Sequence, residues 1–112
     1  MRPESPKLVW DALEAAQWIV NHASGRTFEE YVLDHMLRLA IERQFITLGE
    51  ALNQLARRDP EAANGIAQIH QIIAFRNILV HGYSEIDDEL VWTVATGELT
   101  PLIQALERLL EN

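Results

Sequence analysis

The chain is predicted to be all-α, an up-and-down bundle of four or five helices joined by short connections. Apolar residues recur at helical spacing in every long segment. Serine, threonine or aspartate, several with proline next in line, punctuates those segments where helices should start. No stretch shows the two-residue alternation of a half-buried strand. The 112 residues suit a single domain spanning 1–112, with 48% hydrophobic and 23% charged residues. No cysteine is present, which excludes disulfides and thiolate chemistry. No apolar run reaches the roughly 20 residues of a membrane span. Without a basic-then-apolar leader at the N-terminus, a cytoplasmic location is the expectation.

Ser5-Pro6 reads as a cap followed by a proline at the first helical position. Leu8, Ala12, Leu13, Ala16, Ile19 and Val20 carry that first helix, with Trp10 and Trp18 adding area, until Ser24-Gly25 stops it. Thr27-Phe28-Glu29-Glu30 is a capping box. The second helix it opens is expected to run unbroken to about Ala56 as the spine of the bundle. Tyr31, Leu37, Ile41, Phe45, Leu48, Leu52 and Leu55 form its stripe. Gly49 inside it costs roughly 1 kcal/mol against alanine, so either another helix approaches closely there or the glycine is merely tolerated. Asp59-Pro60 and Asn64-Gly65 punctuate the way to a third helix.

That third helix holds no acidic residue from Ile66 to Tyr83 and is apolar nearly all round, the mark of a buried helix. Arg76, Asn77, His81 and Tyr83 interrupt it. At about 100° per residue, positions 69, 73, 76, 80 and 83 share one stripe and 70, 74, 77 and 81 the neighbouring one. Ile72, Phe75 and Leu79 lie opposite as the core anchor, and Gly82 ends the helix. Asp87 should cap a fourth helix. Thr100-Pro101 should break it, leaving a last helix from Pro101 to about Leu110.

The formal charge of −8, with 17 acidic against 9 Lys+Arg residues, disfavours general nucleic-acid affinity, so any RNA contact must be local. The acid-free stretch from Ile66 to Tyr83 is the place for it. A guanidinium can hold a phosphate and stabilise its developing charge, and an imidazole exchanges protons near neutral pH. Arg76 and His81 therefore suit cleavage of an RNA phosphodiester by its own neighbouring hydroxyl, which requires no metal. Such a reaction wants a base and an acid; a homodimer pairing two such faces would supply two histidines.

Each residue also has a plainer reading. Arg76 could be a buried ion pair with Glu50 or another acid, His81 a histidine favoured by the helix C-terminus, and Tyr83 a core aromatic. Asn77 could orient His81, cap, or touch RNA. His70 reads as a partly exposed interface residue, and His22 and His35 are given no role. The four histidines have no metal-ligand spacing, and no cofactor is implied.

Arg76-Asn77-Ile78-Leu79-Val80-His81, extended by Gly82-Tyr83, resembles the motif of the HEPN superfamily and, within it, the HepT-like toxins of two-gene toxin–antitoxin modules. Gly25 to Glu30, Leu48-Gly49-Glu50-Ala51 and Ile86 to Trp92 match further family landmarks, so the resemblance covers nearly the whole chain. It implies a metal-independent ribonuclease that dimerises with Arg76 and His81 of both copies lining a cleft. It also implies a nucleotidyltransferase antitoxin as partner, which adenylylates Tyr83 in some relatives. Other HEPN-like domains serve only in assembly, so a non-catalytic binding module is the alternative.

Overall fold

A computed structural model describes residues 1–111; Asn112 and the side chain of Tyr83 lie outside what it describes. The chain forms α1 (Ser5–Ala23), α2 (Phe28–Leu33), α3 (His35–Arg58), α4 (Pro60–Ala63), α5 (Ile69–His81), α6 (Asp88–Thr93) and α7 (Leu99–Glu111). A 3₁₀ turn at Tyr83–Glu85 follows α5, and a π-helical turn at Val94–Glu98 joins α6 to α7. Among the described residues there is no strand, and no helix is long and apolar enough to cross a membrane.

α3 is the central helix, packed on α1 along one side and on α5 along the other, with α7 completing the bundle against α1. Ile41, Phe45, Leu48, Leu52 and Leu55 of α3 are fully buried, as are Ile19 of α1 and Leu102 and Leu106 of α7. Side chains of this size each contribute about 1.5–3 kcal/mol on burial. Phe45 meets Phe75 edge to face with ring centroids 5.0 Å apart. That contact sets the register of α3 against α5, so that the next turn of α3 brings Gly49 beside Arg76. Ile72, Phe75 and Leu79 are all buried, the anchoring role their spacing predicts.

The capping box at Thr27 forms in both directions, Glu30 N–H to Thr27 Oγ1 at 3.1 Å and Thr27 N–H to Glu30 Oε1 at 2.8 Å. Gly25, at φ 79°, makes the left-handed turn before it. Asp87 caps α6 by accepting from the Glu89 and Leu90 amides.

Three expectations need correction. The long second helix is two helices, because Asp34 adopts an extended conformation and its carboxylate accepts from the Leu37 N–H at 3.0 Å. A short polar side chain here outcompetes the backbone ladder and starts a new helix. The predicted break at Thr100-Pro101 does not occur, since α7 begins at Leu99 and runs through it. Pro101 has no N–H for the carbonyl a turn earlier and crowds that carbonyl; the strain is accommodated in the widened π turn before it rather than by ending the helix. Ser5 does not cap α1, which starts after Glu4 in helical conformation with no side-chain cap.

The Ser5 hydroxyl donates instead to Asp59 Oδ2 at 2.6 Å. The same oxygen accepts from the Arg2 N–H at 3.0 Å, while Oδ1 accepts from the Ala62 N–H at 3.1 Å and so caps α4. Asp59 is only 5% exposed. With the Ser5 hydroxyl contributing most, these donors lower its pKa from 3.8 to about 2. A carboxylate depressed on folding stabilises above its unfolded pKa and loses that effect as pH falls through the folded one. Thermal unfolding followed by circular dichroism should therefore show stability dropping between about pH 4 and pH 2. Asp59→Asn should lower stability at neutral pH and flatten that part of the profile.

Candidate functional site

Arg76 does not share the outward face of His81. It leans toward α3, flanked on its own helix by the half-buried Ile73 and Val80, whereas His70, Asn77 and His81 are exposed. The space it occupies exists because position 49 lacks a side chain. A Cβ there would lie within 2.7 Å of Arg76 Cγ and closer still to its Cβ. Of the two readings of Gly49, close approach is the one realised.

From that notch the guanidinium reaches Glu50 Oε1 at 3.3 Å through one terminal nitrogen and Asn77 Oδ1 at 3.0 Å through the other. Its Nε is buried without a hydrogen-bond partner. The Arg76 side chain is 19% exposed and that of Glu50 54%. The pair is thus long and open to water on its acidic side, worth on the order of 0–1 kcal/mol. Such a pairing orients the arginine without consuming it, because an incoming anion can replace Glu50 without burying an unpaired charge.

Asn77 serves Arg76 rather than His81, the neighbour its i, i+4 spacing suggests. His81 closes α5, with Gly82 as its C-terminal cap. Its ring lies in an open depression bordered by Asn77, Ile78, Gly82 and Glu85. Glu85 carries no signal in the sequence because it lies beyond the helix; only the 3₁₀ turn at Tyr83–Glu85 folds it back to this rim. Tyr83 begins that turn, directly after the cap.

The other histidines sit apart. His22 stacks on Trp18 at 3.7 Å and bonds through Nδ1 to the Trp18 carbonyl, and His35 pairs with Arg38. Among the described residues no three His, Asp or Glu side chains gather as a metal site. A second polar cluster lies where α2, α3 and α6 meet. Tyr31 stacks on Trp92 there, and Arg38 pairs with Asp88 at 3.3 Å. Burial, and then the charges of Glu42 and Asp88, push the Tyr31 hydroxyl far above the usual tyrosine range. Burial and then Asp88 likewise raise Glu42 above its ordinary value.

The sequence profile of a family described as ribonuclease HepT-like matches residues 12–109. "Putative RNase TTE0752" of Caldanaerobacter subterraneus is 23% identical over 100 residues, covering 89% of this chain and 88% of that one. "Putative RNase MJ1380" of Methanocaldococcus jannaschii is 24% identical over 99 residues, covering 88% and 90%. "Putative RNase MJ0127" of the same organism is 24% identical over 106 residues, covering 93% and 85%. No solved structure matches significantly.

Proposed function

The chain belongs to the HepT-like ribonuclease family, and from that premise we propose that it is the toxin ribonuclease of a two-component toxin–antitoxin system, cleaving RNA without a metal. The observation that carries this reading is the placement of Arg76. A guanidinium held over Gly49 by an exchangeable carboxylate is a phosphate site, and the exposed His81, five residues further along the same helix, is a proton carrier.

In the proposed reaction the RNA 2′-hydroxyl attacks its own phosphorus while an imidazole accepts its proton. Charge gathers on the non-bridging oxygens, where Arg76 stabilises it. The 5′-oxygen leaves with a proton from a second imidazole, giving a 2′,3′-cyclic phosphate and a 5′-hydroxyl. One copy offers one exposed histidine at the C-terminal end of α5, so a homodimer with His81 of both copies facing one cleft provides base and acid together. The cognate nucleotidyltransferase antitoxin silences the toxin by complex formation or by adenylylating Tyr83. The added nucleotide would bring negative charge to the end of α5 that carries His81 and so repel the substrate phosphate.

Cleavage of RNA by the purified protein should persist in excess chelator and leave cyclic-phosphate ends. Loss of cleavage on chelation would refute the mechanism. Incubation with the neighbouring nucleotidyltransferase and ATP should raise the intact mass by one AMP, and Tyr83→Phe should abolish that gain. A protein that cleaves nothing, yet still docks the antitoxin, would be the assembly module instead.

A further inference from the structure

Four of the cations in this acidic chain are neutralised where they stand: Lys7 by Asp11, Arg26 by Asp34, Arg38 by Asp88 and Arg76 by Glu50. Arg43 and Arg57 are different. Both are exposed, and, as for Arg58 beside Arg57, neither side chain makes an ion pair or hydrogen bond with another described residue. They lie on α3 seven residues before and seven after Glu50. Seven residues are only about 20° short of two full turns, so Arg43, Glu50 and Arg57 form one ridge, with neighbours about 10 Å apart along the axis.

The position of that ridge gives it meaning. Glu50 reaches over Gly49 to Arg76 from the exposed crest of α3, so the ridge flanks the seam between α3 and α5 on one side and, on the other, a groove against α1 that Asp11 and Glu14 make acidic. The two helices are antiparallel: Ala56, late in α3, shares a surface depression with Ile69 and His70 at the start of α5, whereas Phe45, earlier in α3, meets Phe75 further along α5. Arg43 therefore lies toward the His81 end of α5 and Arg57 toward His70. The seam carries free guanidinia at both ends, an exchangeable one in the middle and exposed imidazoles along its far bank.

We propose that this seam is the path of the RNA strand, with Arg43 and Arg57 binding backbone phosphates on either side of the one held at Arg76. The inference rests on the ribonuclease reading and adds a substrate path to it. In-line cations at regular spacing suit a polyanion, which needs periodic charge and no apolar anchor. The charge of −8 on the whole chain repels phosphate elsewhere and leaves this ridge as the favourable track.

The test is binding of a short fluorescent single-stranded RNA across a salt series, in a His81→Ala background so that the RNA survives. Removing one phosphate-binding cation should flatten the slope of log affinity against log salt by roughly 0.7. Arg43→Gln with Arg57→Gln should thus lower the slope by about 1.4 without changing helix content or sedimentation. With His81 intact, the same pair should raise KM and leave kcat nearly unchanged. If the slope is unaffected while Arg76→Gln weakens binding, the track is wrong and the site stands. If no variant and no parent binds RNA in a salt-dependent way, track and ribonuclease reading fall together. An unaltered slope with abolished binding of the nucleotidyltransferase would make the ridge a protein-docking surface and overturn the proposal.

Discussion

His81→Ala is expected to lower RNA cleavage by about a hundredfold to ten-thousandfold, the usual contribution of a positioned general acid or base. The effect should be confined to activity. His81 is exposed at the end of α5 and its side chain forms no hydrogen bond with another described residue, so its removal leaves neither a cavity nor an unpaired group. The stability cost should stay within about 0.5 kcal/mol, as for an exposed surface substitution. Initial rates on single-stranded RNA, with thermal unfolding as control, measure both sides of this prediction. Cleavage within a few-fold of the parent would remove His81 from the chemistry.

Gly49→Ala tests positioning rather than chemistry. The added methyl would collide with the Cβ and Cγ of Arg76, atoms close to the α5 backbone that cannot swing away as a side-chain tip could. α3 and α5 must then separate or Arg76 must leave its rotamer. Overpacking of this kind costs about 1–3 kcal/mol. A displacement on the order of 1 Å at a catalytic group can cost about a hundredfold in rate. We therefore expect a folded, less stable protein whose cleavage falls far more than its helix content, and Gly49→Ser should behave in the same way. Unchanged rates in a folded Gly49→Ala protein would mean that the notch does not set the geometry of Arg76.

The helices and their faces are legible in the sequence wherever a single local rule decides them. The capping box at Thr27, the cap at Asp87 and the buried row Ile72, Phe75, Leu79 are of this kind. Expectations fail where two rules compete. Asp34 sits within an unbroken apolar pattern, and periodicity outweighs its capping side chain in the sequence but not in the fold. At Pro101 the usual break is the stronger sequence signal, yet the burial of Leu99, Leu102 and Leu106 keeps the helix going through a π turn. In the site, Arg76 and Glu50 are legible as partners because an arginine in an apolar helix needs an anion. The service of Asn77 to Arg76, and the return of Glu85 to the rim, depend on rotamer and turn geometry that spacing does not encode.

The π turn at Val94–Glu98 fixes the phase of everything after it. A turn closed over five residues instead of four holds one more residue than an α-helical turn, and one residue is about 100° of rotation. α6 faces Tyr31 through Trp92, whereas α7 faces α1 through its leucines, and a straight splice of the two could not satisfy both. The widened turn works as an angular offset between two partners. Shortening the segment by one residue would keep a continuous rod yet swing Leu102 and Leu106 out of the bundle. The rod formed by α6 and α7 is therefore less tolerant of a deletion here than its exposed Thr96 and Gly97 suggest.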